Sequence, residues 1–100
     1  MQQPIVGGWS ETKPQFPPEI QELCDKVRPL LEKAYRKFTK YIPTKYREQV
    51  VAGMQYIVKI EVGDGEYVHV KIFSPPTSDG KAEYCAYEPH HTADDEITIF

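Results

Sequence analysis

The first regular pattern of apolar residues along the chain predicts one amphipathic α-helix over residues 17 to about 41. Apolar side chains recur there at spacings of three and four, which places them on one stripe: Ile20, Leu23 or Cys24, Val27, Leu30 or Leu31, Ala34 and Phe38. Pro18 suits the first turn, and Glu19 and Glu22 complement the positive end of the helix dipole. Pro29 removes a hydrogen bond inside such a helix, so the residues alone also allow two shorter helices.

After this helix, alternating apolar and polar residues predict an antiparallel β-meander with strands at residues 41–48, 55–62, 66–73 and 81–88. The second strand is expected to bury one face under the helix, with the side chains of Tyr56, Val58, Ile60 and Val62. Gly63-Asp64-Gly65 predicts a tight turn, and Pro89 is expected to end the last strand. The fold class is therefore α+β, with an antiparallel sheet of four to five strands wrapped around one long α-helix.

The first 18 residues have neither helical nor strand periodicity, and they combine four prolines with Gly7-Gly8. Because proline fixes φ and glycine leaves it free, this composition predicts an extended N-terminal arm with one flexible joint. A disordered, solvated tail is the alternative. Disordered tails are normally poor in apolar residues, however, whereas Ile5, Val6 and Trp9 flank the glycine pair here.

Length and composition predict one globular domain over residues 1–100, with 40% apolar and 27% charged residues. The formal net charge of −3 provides no basic patch, which argues against nucleic-acid binding. No apolar run approaches the roughly 18 residues that a membrane span needs. The first residues lack the basic and apolar regions of a secretion signal, so we expect a cytoplasmic protein.

Cys24 and Cys85 are far apart in the sequence and are expected to be free, buried thiols in a reducing compartment. One disulfide between them in a secreted protein is the alternative. Cys24 falls on the apolar helix stripe, and Cys85 lies in a strand without a basic neighbour to lower its pKa. Neither is therefore expected to act as a nucleophile with His69, His90 or His91. With no other catalytic motif in the sequence, we predict no enzymatic activity and no cofactor.

His90-His91 together with Asp94 and Asp95 come nearest to a metal-binding pattern. Adjacent histidines rarely point at the same ion unless a rigid element fixes further ligands around it. The sequence therefore predicts no metal site.

Between the first two predicted strands, Gln49-Val50-Val51-Ala52-Gly53 stands where a polar turn would be expected. Hairpin turns normally use Asn, Asp, Gly or Pro, which supply the backbone angles and are well solvated. An apolar tip exposes hydrophobic surface to water without any local benefit. The pattern therefore indicates a hairpin tip that contacts a partner.

This QVVAG segment resembles the signature of the cystatins, protein inhibitors of papain-like cysteine proteases. Further stretches resemble the stefins, the intracellular type 1 cystatins, in the same order along the chain: Gly7-Gly8, then Lys13-Pro14 followed by Pro18-Glu19-Ile20-Gln21-Glu22, and finally Asp94-Asp95-Glu96-Ile97-Thr98-Ile99-Phe100. The resemblance covers essentially the whole chain and implies the cystatin-like fold. It also implies a single helix that bends at Pro29, because stefins carry proline at the matching place.

The resemblance further implies a reversible, tight-binding, competitive inhibitor that acts as a three-part wedge in the active-site cleft of the protease. The implied contacts are Pro4, Ile5, Val6, Gly7 and Gly8 of the arm, Gln49, Val50, Val51, Ala52 and Gly53 of the hairpin, and Pro75 and Pro76 of a second loop. Gly7 matches the reactive-site glycine. Stefins typically carry Leu-Pro where this chain has Pro75-Pro76, which alters the apolar contact of that loop. The implied partners are papain-like proteases such as cathepsins L, S, H and B.

Other roles stay open from the sequence. Gln2, Gln3 and Lys13 lie on the arm, where a cross-linking enzyme can reach them, so a structural or cross-linked interaction protein is the alternative function. Stefins can also exchange strands by opening the hairpin at QVVAG, so we expect a monomer that can form a domain-swapped dimer. Trp9 either contacts the protease at the rim of the inhibitory surface or packs against the helix end.

Overall fold

The computed structural model describes residues 8–14, 17–76 and 82–100. In chain order these residues form helix α1 (Pro18–Ala34) and strands β1 (Ile42–Val51), β2 (Gly53–Gly63), β3 (Glu66–Ser74) and β4 (Glu83–His91). The strands form one antiparallel sheet in the order β1-β2-β3-β4. The predicted α+β fold, a helix against an antiparallel meander, is confirmed, with four strands.

Helix α1 begins at Pro18, whose missing N–H is no loss because the first-turn amides have no partner within a helix. Its buried residues repeat at spacings of three and four and belong to the same core as the sheet: Ile20, Leu23, Cys24, Val27 and Leu31. Pro29 lies on the exposed side, and the helix continues past it as one element, so the alternative of two shorter helices is wrong. No helix in the described ranges is long and apolar enough to cross a membrane.

The helix ends at Ala34, well before the predicted end near Tyr41. Phe38 is nevertheless buried, because the loop after the helix folds back onto the same core. The Phe38 N–H donates to Glu32 Oε2 at 2.9 Å, and Arg28 donates to the Phe38 carbonyl at 2.7 Å. Apolar spacing cannot distinguish a last helical turn from a loop fixed in this way, which is why the predicted helix was too long.

Strand β2 pairs along its length with both of its neighbours in the sheet. Its ladder with β1 reaches the pair Val51 and Gly53, and its ladder with β3 reaches the pair Gly63 and Glu66. An Asp-Gly turn joins β2 to β3, with Gly65 at a φ of 71°, a backbone angle that glycine adopts easily. The predicted tight turn is confirmed.

Strand β4 runs through Pro89, which was expected to end it. Because β4 is an edge strand, Pro89 needs no partner on the open side of the sheet. The pairing of β4 shifts between Tyr67 and His69 of β3, and His90 adopts a positive φ of 66°. These features define a β-bulge with one extra residue on β4. The prediction was wrong because the bulge accommodates the proline and the strand resumes after it.

The core between α1 and the sheet is built from alternate residues of the two central strands. The buried members are Tyr56, Val58, Ile60 and Val62 of β2, and Val68, Val70 and Ile72 of β3. Each aliphatic side chain removed from water in this way stabilises the fold by about 1.5–3 kcal/mol. The predicted helix-facing row of β2 is confirmed.

The opposite face of the sheet is buried as well, although only one face of β2 was expected to be. Ile57 and Lys59 alternate with the helix-facing residues, and they expose only 0% and 1% of their surfaces. Residues 92–100, the C-terminal tail, reach this face, where Lys59 Nζ donates to the carbonyls of Ala93 and Asp95 at 2.9 and 2.5 Å. A buried ammonium is tolerated here because two of its three donors are satisfied by these carbonyls and it lies 5.3 Å from the centroid of the Tyr67 ring.

Two further basic residues hold the C-terminal tail. Arg47 and Lys71 are the cross-strand partners of Ile57, and they donate to the carbonyls of Ile97 and Phe100, each at 2.7 Å. Ile97 itself is only 2% exposed. The end of the chain is thus attached to the sheet both by hydrogen bonds from basic side chains to backbone carbonyls and by the burial of Ile97.

Both cysteines are free thiols, and no disulfide joins them. Cys24 is fully buried on the sheet-facing side of α1, as predicted, and burial raises the pKa of its thiol to about 12. Cys85 is exposed on the edge strand β4, so its predicted burial is wrong. The pairing of β4 also shifts between Lys71 and Ile72 of β3, which leaves Cys85 as the extra residue of a second β-bulge, while Tyr84 and Tyr87 on either side pack against the core.

Alkylation should distinguish the two thiols. Native protein treated with iodoacetamide at about pH 8 should be modified at Cys85, because Cys24 is inaccessible and almost none of it is thiolate at that pH. Peptide mass spectrometry measures the modification of each residue, and unfolding in denaturant should release Cys24 for reaction. Equal modification of both thiols in the native protein would contradict the packing of α1.

Replacing Lys59 by Met should lower the free energy of unfolding by about 2 kcal/mol, because the carbonyls of Ala93 and Asp95 lose a charged donor. Lys45→Met is the matched control, since Lys45 is the exposed cross-strand partner of Lys59 and should change stability by less than about 0.5 kcal/mol. Urea unfolding monitored by circular dichroism provides both values. Equal effects of the two substitutions would show that the tail contact does not stabilise the fold.

Candidate functional site

Strands β1 and β2 end together in a narrow hairpin tip, residues 49–53. Pairing continues up to Val51 and Gly53, so Ala52 alone lies outside the ladder. The predicted strands, 41–48 and 55–62, were therefore too short, because the β-branched Val50 and Val51 favour an extended backbone. The tip is held in one conformation by the same hydrogen bonds that hold the sheet.

The surface of the hairpin tip is apolar and exposed. Val50 exposes 59% of its surface, more than any other large hydrophobic residue in the described ranges. Ala52 is also exposed, and residues 49–54 carry no ionisable side chain. Burying one valine side chain against a partner is worth about 1.5–3 kcal/mol. The tip is thus suited to hydrophobic contact with another molecule.

A second loop lies directly against the tip. Gly53 has a φ of 114°, and a Cβ at this position would lie 2.4 Å from the carbonyl oxygen of Ser74 and 3.1 Å from Pro76. Such approaches are shorter than side chains tolerate, so glycine is required both by its backbone angle and by its neighbour. The loop containing the half-buried Pro75 and the exposed Pro76, the proline loop, is consequently packed beside the hairpin tip.

The described part of the N-terminal arm runs antiparallel along the free edge of β1. The Lys13 N–H donates to the Tyr46 carbonyl at 2.7 Å, the Tyr46 N–H donates back at 3.0 Å, and the Ser10 N–H donates to the Glu48 carbonyl at 2.8 Å. Trp9 forms an isolated bridge with Gln49. Because the arm approaches the tip as its residue numbers fall, Gly8 and Trp9 lie at the tip end of β1.

Side chains fix this arm to the strand. Lys13 Nζ contacts the Glu48 carboxylate at 2.6 Å, and this ion pair raises the pKa of Lys13. Arg47 Nε donates to the Ser10 carbonyl at 2.8 Å. Since Arg47 also binds the C-terminal tail, one side chain holds both ends of the described chain to β1. The tip end of the arm is thereby set in a defined position.

The residues predicted from the sequence to form the functional surface fall into two groups. Gly8, the tip residues 49–53, and Pro75 and Pro76 come together at one end of the sheet. Pro4, Ile5, Val6 and Gly7 lie outside the described residues, so their roles stay predictions. The backbone of Trp9 is fixed beside Gln49 and its side chain is half-buried.

The sequence missed one polar cluster, located on the face of the sheet that the C-terminal tail covers. It contains His69, Glu88 and His91, while the pairing suggested from the sequence was His90-His91 with Asp94 and Asp95. Burial, with His91 and Lys59 nearby, lowers the pKa of His69 to about 4. In a regular strand Glu88 and His91 would lie on opposite faces, and a β-bulge is needed to place them on the same face. No sequence signal other than Pro89 indicates that bulge.

The chain is similar to known proteins over nearly its whole length. The Cystatin domain family model matches residues 7–94. Stefin-2 of Mus musculus is 42% identical over 97 residues, covering 96% of this chain and 93% of that protein. Cystatin-A of Homo sapiens is 43% identical over 98 residues, covering 96% and 99%. Leukocyte cysteine proteinase inhibitor 1 of Sus scrofa is 43% identical over 101 residues, covering 96% and 94%.

Gly53→Ala should destabilise the protein by at least about 2 kcal/mol, because alanine at this φ is strained and its Cβ meets the Ser74 carbonyl. Gly65→Ala is the matched control, since Gly65 also has a positive φ but nothing lies within 4 Å of its Cβ position. It should cost only about 1 kcal/mol. Urea unfolding measures the change in the free energy of unfolding for both variants. Equal changes would mean that the contact of Gly53 with the proline loop does not contribute to stability.

Proposed function

Because the chain belongs to the cystatin family, and within it to the stefins, we propose that it is a reversible, tight-binding competitive inhibitor of papain-like cysteine proteases. The observation that carries this proposal is the exposed apolar hairpin tip beside the proline loop. Such a surface is suited to filling a preformed apolar cleft. The described arm ends at the same edge, so three separate segments can enter one cleft together.

The proposed mechanism is obstruction without cleavage. The tip residues Val50 and Val51 enter the middle of the cleft, the proline loop contacts its primed side, and Pro4, Ile5 and Val6 occupy its non-primed subsites. Gly7 provides the turn that lets the arm leave the cleft without a Cβ clash. None of these segments needs to hold a peptide bond in attack geometry over the protease nucleophile, so the inhibitor is not turned over as a substrate.

Rigidity supports tight binding by a modest surface. Association costs translational, rotational and side-chain freedom, and only the surplus of interaction energy appears as affinity. The hairpin tip is already ordered by strand pairing up to Val51 and Gly53, and Gly53 is packed against the proline loop. Valine and proline have few rotamers to lose. We therefore assign most of the affinity to apolar burial at the tip.

Target range and cellular location follow from the same proposal. We include cathepsins L, S, H and B among the targets, and we propose a cytoplasmic protein without enzymatic activity of its own. Two free thiols, Cys24 and Cys85, suit a reducing compartment. Trp9 is assigned to the rim of the inhibitory surface, because its backbone lies beside Gln49.

Titration of papain with the purified protein tests the proposal. With the enzyme well above the inhibition constant, activity should fall linearly to zero at one inhibitor per enzyme, and in dilute enzyme the apparent inhibition constant should rise with substrate concentration. A variant lacking residues 1–7, and the bulky substitution Gly7→Arg, should both inhibit more weakly because the arm contact is lost. Inhibition by the Gly7→Arg variant equal to that of the intact chain would overturn the assigned role of the arm.

Val50→Lys and Ile42→Lys form a matched pair for the tip. Both residues are large, exposed hydrophobics on β1, with 59% and 48% exposure, but Ile42 lies at the opposite end of the strand. Val50→Lys should raise the inhibition constant by at least about tenfold, because a favourable apolar contact is replaced by a charged side chain that must be desolvated on binding. Ile42→Lys should leave it unchanged. If the folded full-length chain does not inhibit at all, the structural, cross-linked role becomes the better explanation.

A further inference from the structure

A β-bulge in β4 brings together three side chains of types that can ligate a metal, far from the hairpin tip. In the register, His69 of β3 is opposite Glu88, and Tyr67 is opposite His91. Residues 67 and 69 share one face, so their partners 88 and 91 share it too, although an odd separation in a regular strand places them on opposite faces. The bulge at Pro89 and His90, with His90 at a φ of 66°, therefore builds the cluster.

His69 is an orphaned polar side chain at the centre of this cluster. It is 0% exposed, and neither ring nitrogen has a hydrogen-bond partner among the described residues. A buried polar group without a partner costs about 1–3 kcal/mol, and native structures rarely leave one unexplained. The ligand atoms of His69, Glu88 and His91 all lie within 4.8 Å of one another. The unsatisfied imidazole thus lies close to two further potential metal ligands.

His91 has a carboxylate partner of the kind that supports metal-binding histidines. Its Nδ1 lies 3.0 Å from Asp95 Oδ2, while its Nε2 lies 3.2 Å from Glu88 Oε1. A carboxylate that accepts from one ring nitrogen fixes the tautomer and directs the other nitrogen to the metal. Asp95 is itself fixed by the Thr92 N–H and hydroxyl, each at 3.0 Å. The outer support of a metal site is therefore present.

We propose that His69, Glu88 and His91 bind a divalent zinc-type ion, with Asp95 as the positioning residue behind His91. Two imidazoles and one carboxylate are donors that Zn²⁺ accepts, and water completes a four-coordinate site. Bonds near 2.0 Å in a tetrahedron separate ligand atoms by about 3.3 Å. The 3.2 Å between His91 Nε2 and Glu88 Oε1 is already close to this value.

Binding requires one local movement. The rings of His69 and His91 are stacked, with centroids 3.7 Å apart and planes 7° from parallel, whereas an ion must lie in the plane of each ring that binds it. His91 is the last residue of β4 and is followed by a turn, so its ring can tilt toward the ion. The Glu88 and Asp95 carboxylates balance the charge of the ion beside the ammonium of Lys59.

The bound ion would join β3 to the end of β4 and, through Asp95, to the C-terminal tail. It would therefore stabilise the folded state without reaching the inhibitory surface. His69 is five residues from Ser74 along β3, which corresponds to about 17 Å of extended strand. Zinc binding and protease inhibition are thus separable: a variant can lose zinc binding and still inhibit, or lose inhibition and still bind zinc.

Calorimetric titration of the full chain with ZnCl2 in a non-chelating buffer tests the site. One equivalent should bind saturably and raise the melting temperature. Glu88→Gln and His91→Gln should each abolish this saturable binding, and Asp95→Asn should weaken it by about tenfold or more. His90→Asn is the matched control, because it removes the adjacent histidine, tolerates the positive φ and should bind zinc as the unsubstituted chain does.

Histidine side-chain NMR on the unsubstituted protein gives a second readout that does not depend on any variant folding. The ring signals of His69 and His91 should shift with one equivalent of Zn²⁺, whereas those of His90 should not. Absence of saturable binding would overturn the proposal. So would zinc binding that persists in His91→Gln or is lost in His90→Asn.

Discussion

The register of β2 is the constraint on which the rest of the structure depends. This strand pairs with β1 on one side and β3 on the other, and its two rows of side chains face the helix and the C-terminal tail. A slip by one residue would exchange Val58 and Ile60 for Ile57 and Lys59 at the helix, which would place an ammonium in the apolar core and separate it from the tail carbonyls. The same register brings Gly53 to the Ser74 carbonyl, so the fold and the hairpin tip are set together.

The two ends of the sheet consequently serve different purposes. At one end, strand pairing continues into an apolar tip that contains no ionisable side chain. Toward the other end, the tail side of the sheet carries Lys59, His69, Glu88 and His91 among backbone carbonyls of the C-terminal tail. Apolar contact with a partner and polar attachment of the chain end are thereby kept apart, and changes in one need not disturb the other.

Sequence patterns predicted the elements well and their limits less well. The apolar stripe of the helix and the alternation in β2 and β3 were predictable, because the spacing of apolar residues within one segment follows the period of its own secondary structure. The same patterns did not indicate where α1 ends, that β4 continues through Pro89, or that Lys59 is buried. Each depends on a contact outside its own segment, namely the folded-back loop at Phe38, the bulge against β3, and the C-terminal tail.

For the candidate site, the sequence by itself determined the apolar tip, the proline loop and the family resemblance, because these are properties of contiguous residues. Only the tertiary structure decided that Gly8, Val50 and Pro76 meet at one end of the sheet, and that His69 meets His91 behind a bulge. The physical reason is that proximity across strands depends on register and bulges. Hydrogen-bond pairing over the whole sheet sets both, and no local run of residues encodes either.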